Sequence, residues 1–148
     1  MEEKYICFNL AEEQFAIPLL TVKEVIKIQE VTPVPQMPSH ILGIFNLRGQ
    51  VITVMDLRKK LGLSTQVSPE TAIMILNFGK NVLGVVVDAV NAVHTLKDNE
   101  LQEKPMTLAG AASSSVVSVF RKDEKLILVL DIAKALSVEE LMQMGMAA

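Results

Sequence analysis

The sequence predicts a mainly β fold in which two small β-barrels of similar structure pack together, with short helices at strand junctions and a C-terminal helix. Half of the 148 residues are hydrophobic, and they fall in many short segments. The pattern of a hydrophobic strand, an aspartate and a short helix also occurs twice, at residues 51–61 and 126–136. Barrels of about 65 residues are marginal alone, so the two halves are expected to share a core.

The first half, taken as residues 1–66, is predicted to hold five strands. Apolar and β-branched patterns place them at residues 4–10, 14–17, 22–28, 44–47 and 51–55. Residues 31–38 contain three prolines, which remove backbone donors and indicate a connector. Ser39 is expected to cap one helical turn that Gly43 closes. Asp56 is expected to cap a short helix over residues 57–61.

The second half, taken as residues 67–148, repeats this order at low identity. Strands are predicted at residues 72–78, 82–87, 88–96, 116–120 and 126–130. Residues 8–28 align with residues 76–96 at an offset of 68, whereas Asp56 and Asp131 are 75 apart. Longer connections, such as the loop at residues 103–115, must absorb the difference.

Two further features of the second half carry predictions. Gly84 lies in the middle of a strand, which indicates a bulge or a close approach by the backbone of another chain. Ser137 and Glu140 form a capping box that opens a last amphipathic helix, reaching residue 144.

Composition excludes several classes of function. The net charge of −3 and the absence of tryptophan argue against a nucleic-acid binder, which needs basic and stacking side chains. No apolar run approaches the ~18 residues of a membrane helix, so direct membrane insertion is not expected. The single cysteine, Cys7, fits a buried position in a reducing cytoplasm.

No set of residues predicts catalysis, a metal site or a cofactor. His40 and His94 lack a second ligand at metal-binding spacing. Neither a phosphate-binding glycine loop nor a nucleophile elbow occurs. Asp56 and Asp131 occupy equivalent strand-to-helix junctions, so capping explains both. The protein is therefore not expected to be an enzyme.

Arginine occurs in two contrasting settings. The basic run at residues 58–60 is interpreted as a solvated helix end. Arg48 instead lies between Leu47 and Gly49, in the predicted hairpin between two hydrophobic strands. Such an arginine is either a solvated turn residue or a rigidly presented guanidinium that anchors an interface, since arginine is enriched in binding hot spots. The residue chemistry alone does not name the partner.

The segment around Arg48 resembles the central signature of CheW-type chemotaxis coupling proteins. Residues 43–57 (GIFNLRGQVITVMDL) carry that signature, and residues 8–28 and 77–88 resemble the family's opening strands and its second-half signature. The resemblance covers about residues 4–140. It implies a single CheW-like domain made of two intertwined, five-stranded SH3-like barrels. It also implies a cytoplasmic adapter that joins chemoreceptor tips, in receptor arrays, to the histidine kinase CheA.

The resemblance also implies where the partners bind. A groove between the barrels would take the helical hairpin of the receptor tip, and the residues carried over by position are Ile17, Val22, Glu24, Arg48, Leu83, Gly84 and Val86. The regulatory domain of CheA would contact Arg48 together with Pro105 and Met106. Further CheW-like domains would be partners in rings.

Three alternatives stay open. The chain could be a CheW-like domain of a larger protein, namely a receiver-fused coupling protein or the kinase itself, although the start at Met1 and the capped last helix favour a stand-alone protein. It could be an oligonucleotide-binding barrel pair, against which the acidic charge counts. It could also be a hydrolase with an unrecognised site in the groove between the barrels.

Overall fold

A computed structural model describes residues 2–104 and 115–136 and confirms a mainly β protein. Within these ranges the strands are β1 (Glu2–Leu10), β2 (Glu13–Pro18), β3 (Val22–Lys27), β4 (Ile41–Leu47), β5 (Gln50–Asp56), β6 (Ala72–Phe78), β7 (Asn81–Val87), β8 (Ala89–Lys97), β9 (Val116–Lys122) and β10 (Lys125–Leu130). The short helices are α1 (Leu57–Lys60) and α2 (Ile132–Ala135). None of the helices in the described ranges is long and apolar enough to cross a membrane.

The strands form two five-stranded sheets, and each sheet takes strands from both halves of the chain. Sheet A has the order β8-β1-β2-β10-β9, and sheet B has the order β3-β6-β7-β5-β4. Exchanging every strand for its repeat partner converts one order into the other. The parallel strand pairs correspond in the same way. Val54 pairs with Gly84 in sheet B, and their repeat equivalents Val129 and Ala16 pair in sheet A.

Central strands are buried on both faces, which explains the high apolar content. In β6, Met74 and Leu76 belong to a core shared by the two sheets. The alternate residues Ile73 and Ile75 belong to a second core, whose members all lie on strands of sheet B. This division follows from the two-residue period of a strand. Sheet A has a core of its own in the same way.

A glycine lets the proline-containing connector pack against β4. Gly43 has a φ of +144°, and a Cβ built on it would lie 2.0 Å from the carbonyl oxygen of Thr32. Thr32 and Ile44 exchange two backbone hydrogen bonds, of 2.8 and 2.9 Å. The predicted helical turn at residues 39–42 is wrong, because β4 already begins at Ile41. Gly43 therefore serves a close backbone approach inside a strand.

Both predicted aspartate caps are confirmed. Asp56 accepts a hydrogen bond of 3.0 Å from the backbone N–H of Arg58. Asp131 accepts one of 2.9 Å from the backbone N–H of Ala133. The predicted last helix, opened by Ser137, lies outside the described residues.

The turn between β9 and β10 is shorter than predicted. It consists of Asp123 and Glu124 alone, because the flanking strands reach these two residues from either side. These two residues have φ of 51° and 66°. Arg48 and Gly49 occupy the equivalent positions between β4 and β5 and also have positive φ. The second half therefore repeats the geometry of the arginine turn and changes only its side chains.

Gly84 does not mark a bulge, because β7 keeps a continuous register with both β5 and β6. A Cβ at this position would lie 3.1 Å from Cγ2 of Ile73 and 3.3 Å from Cγ2 of Val54. Within this chain, its close neighbours are thus side chains of the sheet B core. Crowding inside this core explains the glycine.

Candidate functional site

Arg48 is held in the tight turn between β4 and β5. Arg48 and Gly49 have φ of 50° and 87°, the two consecutive positive values of a hairpin turn that matches strand twist. Asn46 accepts a hydrogen bond of 2.8 Å from the backbone N–H of Gly49 at its side-chain oxygen. A positive φ is uncommon for an arginine, so the turn sets its backbone conformation. The guanidinium is thereby presented from a fixed point at the end of sheet B.

The guanidinium of Arg48 forms an ion pair with Glu24 on β3. Strands β3 and β4 are opposite edges of sheet B, so this contact bridges the two edges of one sheet. The side chain of Arg48 is 66% exposed and that of Glu24 is 26% exposed. An exposed ion pair contributes only about 0–1 kcal/mol. Both charges are therefore available to a partner at small cost to the fold.

Four of the predicted receptor-binding residues lie in two neighbouring rows of sheet B. Val22 on β3 and Leu83 on β7 pair with the same residue of β6. Glu24 and Gly84 pair with the preceding residue of β6. The structure thus brings these residues together with the Arg48 turn on one sheet, although they come from distant parts of the chain.

Only part of the predicted set reaches solvent. Val22 and Glu24 are half-buried and Arg48 is exposed. The remaining members are buried, with exposures of 1% for Ile17, 0% for Leu83 and 1% for Val86, and Gly84 is buried among them. Ile17 and Leu83 belong to the core shared by the two sheets, and Val86 belongs to the core of sheet B. The predicted kinase contacts Pro105 and Met106 lie outside the described residues.

One exposed apolar residue beside this surface was missed by the sequence analysis. Leu20 is 89% exposed in the 3₁₀ turn Leu19–Thr21, which leads directly into β3 and Val22. Leu19 packs against the shared core. Pro18 could have indicated this exposed residue in the sequence. It ends β2, and the two leucines that follow it in the turn do not both bury their side chains.

Arg58 is buried, so its interpretation as part of a solvated helix end is wrong. Its side chain is 4% exposed, and its Nε and Nη2 donate to the two carboxylate oxygens of Asp56 at 2.9 Å each. Its Nη1 donates to Asp88 at 2.7 Å and to the carbonyl oxygen of Gln66 at 2.5 Å. The hydrogen bond to Asp56, more than any other contact, raises the pKa of Arg58. The fork geometry explains why arginine occupies this buried position.

Asp88 connects this charged cluster to sheet A. Its Oδ2 accepts a hydrogen bond of 2.5 Å from the backbone N–H of Ala11, in the β1–β2 turn. Its own backbone N–H donates to the carbonyl oxygen of Asn9 at 2.9 Å. The Arg58–Asp88 pair therefore fixes one junction between the sheets. Ala133 is the repeat equivalent of Arg58, so the second half does not reproduce the cluster.

The other candidate reactive groups have packing roles. Cys7 is 1% exposed, and burial raises the pKa of its thiol to about 11. His94 lies edge-on to the ring of Phe120, with 6.2 Å between the ring centroids. Among residues 2–104 and 115–136, no three His, Cys, Asp or Glu side chains are grouped so that they could hold a metal ion.

Comparisons with known proteins agree with this arrangement. A family model described as the CheW-like domain matches residues 4–140. The chain is 32% identical over 145 residues to the chemotaxis protein CheW of Treponema pallidum, covering 95% of this chain and 85% of that protein. It is 32% identical over 138 residues to CheW of Bacillus subtilis, covering 93% and 88%. The crystal structure of the scaffolding protein TtCheW from Thermoanaerobacter tengcongensis superposes with a TM-score of 0.86, at 30% identity over 95% of this chain and 96% of that one.

Proposed function

We propose, because the chain belongs to the CheW family of chemotaxis scaffolds and adapters, that it couples the cytoplasmic tips of chemoreceptors to the histidine kinase CheA. In this role it works in the cytoplasm, at receptor arrays, and catalyses no reaction. It binds neither nucleic acid nor a cofactor and does not insert into the membrane.

The observation that carries this proposal is the pairing of Arg48 with Glu24 at the end of sheet B. A receptor tip is a helical hairpin, and a helix is recognised by a surface that combines apolar contact with charges at its rim. The half-buried Val22 and the exposed Leu20 supply apolar area beside the two charges. The ion pair itself is weak, so a receptor carboxylate or amine can displace either partner.

The predicted receptor-binding residues divide into two roles in this proposal. Val22, Glu24 and Arg48 make the contacts with the receptor. The buried residues Leu83, Gly84 and Val86 keep β7 paired with β6, and Ile17 of β2 packs in the core shared by the two sheets. Substitutions at the buried positions would therefore change stability before they change recognition.

We assign the contact with the kinase to Arg48, Pro105 and Met106 of this chain. On the side of the kinase, the regulatory domain of CheA makes this contact. Other CheW-like domains are partners in rings through the same kind of contact. A position of Arg48 near both receptor and kinase is what an adapter requires, because both partners must be held by one small domain. If the chain is part of a larger protein, the same surface serves the same partners.

Co-sedimentation with assembled receptor fragments tests the proposal. The chain should pellet with fragments that carry the hairpin tip and should remain in the supernatant with fragments that lack the tip. Adding CheA should increase the pelleted chain, because each partner then stabilises the other. Retention on heparin without receptor binding would instead support the oligonucleotide-binding alternative.

A further inference from the structure

The second half of the chain has an open cleft where the first half has a buried arginine. The cleft has a volume of about 500 Å³ and is lined by residues of sheet A, the β6–β7 turn and α2. Tyr5, Phe78 and Ile132 are among its apolar walls, and Asp131 and Ala133 also line it. Its volume lies within the roughly 300–1,000 Å³ typical of ligand pockets.

The internal repeat relates this cleft to the site that Arg58 occupies. Asp131 and Ala133 are equivalent to Asp56 and Arg58 at an offset of 75 residues. Asp56 holds the guanidinium of Arg58 through two hydrogen bonds of 2.9 Å. Ala133 ends at its Cβ and is exposed, and both Asp131 and Ala133 line the cleft, so this half has no guanidinium beside its aspartate. The first half of the molecule therefore has a guanidinium next to its aspartate, and the second half lacks this group.

The cleft is acidic as well as apolar. Its charged lining residues are Asp131 and Glu3. Asp131 accepts hydrogen bonds from backbone N–H groups of α2, but no arginine or lysine side chain of the described residues pairs with it. Residues 137–148 contain no lysine, arginine or histidine, so that part of the chain cannot supply a cation either.

We propose that this cleft is a docking site for an arginine side chain carried by an apolar peptide segment of a partner protein. The guanidinium would meet Asp131 as Arg58 meets Asp56, through two parallel hydrogen bonds that an ammonium group cannot make. Apolar side chains beside the arginine would cover Tyr5, Phe78 and Ile132. The cleft contains neither Arg48 nor Glu24, although Ile17 also lines it, and the inference does not depend on the proposed coupling function.

A pair of capped peptides tests the inference on the full chain. One peptide carries an arginine among leucines and alanines, and the other carries the uncharged isostere citrulline at that position. Titrations followed by backbone amide NMR should show shifts at Gly79, Asp131 and Ala133 with the arginine peptide. The citrulline peptide should bind about tenfold more weakly, because a charge-assisted hydrogen bond is lost.

Three variants separate the cleft from unspecific attraction. Asp131→Asn keeps the helix cap and should weaken arginine-peptide binding about tenfold. Ala133→Arg should abolish binding, because its own guanidinium fills the site. Glu124→Gln removes the same charge from an exposed turn and should leave binding unchanged.

Several results would overturn the inference. Equal affinity for the arginine and citrulline peptides would show that the carboxylate is not recognised. Unchanged binding by Asp131→Asn, or an absence of binding to the full chain, would remove the site. A dimer in sedimentation velocity that Asp131→Asn dissociates would make the occupant a second copy of this chain.

Discussion

Arg48 and Glu24 form an ion pair that joins the two edge strands of one sheet. The repeat places Asp123 and Ala92 at the equivalent positions of the other half, so the pair is not reproduced there. The two ends of a nearly symmetric molecule therefore differ in charge. A partner that recognises charge can bind one end in preference to the other.

Reversing the charge of Arg48 should weaken receptor binding without unfolding the protein. Arg48→Glu is expected to reduce affinity for receptor-tip fragments by about 2 kcal/mol or more, as for an arginine hot spot. The change in unfolding free energy should stay below about 1 kcal/mol, because the ion pair is exposed. Calorimetric titration measures the first quantity and urea denaturation the second. Arg121→Glu, at an exposed position of β9, is the matched control and should bind normally.

A charge swap tests whether Arg48 contacts the receptor directly or acts only through its ion pair with Glu24. The double variant Arg48→Glu with Glu24→Arg restores an ion pair across the sheet edges. If Arg48 contacts the receptor, the double variant should remain as weak as Arg48→Glu. Recovery of wild-type affinity in the same titration would show that Arg48 acts through the pair alone.

Gly43 should tolerate substitution far less well than Gly49. A Cβ on Gly43 would meet the carbonyl oxygen of Thr32 at 2.0 Å, whereas nothing lies within 4 Å of a Cβ on Gly49. Gly43→Ala is expected to destabilise the protein by about 2–4 kcal/mol. Gly49→Ala should cost about 1–2 kcal/mol, from its positive φ alone. Denaturant midpoints compare the two, and equal losses would refute the close approach at Thr32.

Removing Arg58 should destabilise the junction between the sheets. Arg58→Met leaves the carboxylates of Asp56 and Asp88 without their cation, which is expected to cost about 3–5 kcal/mol. Its neighbour Lys59 is exposed, and Lys59→Met should change the unfolding free energy by less than about 0.5 kcal/mol. Chemical denaturation of the two variants provides the comparison. Similar values for both would mean that the buried cluster contributes nothing to the fold.

Burial of Cys7 should make stability fall in alkali. Its pKa is raised from 9.0 to about 11 in the folded protein, so the unfolded chain loses this proton first as pH rises. The contribution is complete below pH 9 and is lost progressively between pH 9 and pH 11. The full loss is about 2–3 kcal/mol at the usual 1.4 kcal/mol per pKa unit. Cys7→Ala should flatten the pH profile of unfolding in this window, and an identical slope in variant and wild type would contradict the assignment.

Most strands could be predicted because their patterns are local. The continuous apolar run of β6 and the aspartates after β5 and β10 are read directly from neighbouring residues. The exchange of strands between the two sheets depends instead on contacts between the halves. The local pattern was misleading at residues 39–42, where Ser39 as a cap and Gly43 as a closing residue suggested a helical turn. There Ile41 pairs with Met55 of β5, so β4 already begins at residue 41.

The candidate site was predicted less completely, because exposure and pairing are properties of the folded chain. A basic run next to a helix end looks solvated, and only Asp88, 30 residues away, shows that Arg58 is buried. The match of Leu83 and Val86 to positions of a family pattern likewise does not show that their side chains are buried in the cores. The prominence of Arg48 was visible from its turn, but its partner Glu24 lies on the opposite edge strand of the sheet and meets it only in the folded protein.

The most direct test of the adapter function is the amount of CheA that co-sediments with receptor fragments as the chain is titrated in. Kinase recruitment should rise with added wild-type chain and saturate, Arg121→Glu should recruit equally well, and Arg48→Glu should recruit little kinase at the same concentration. Full recruitment of CheA by Arg48→Glu, or recruitment that does not depend on the chain, would contradict an adapter role that acts through Arg48.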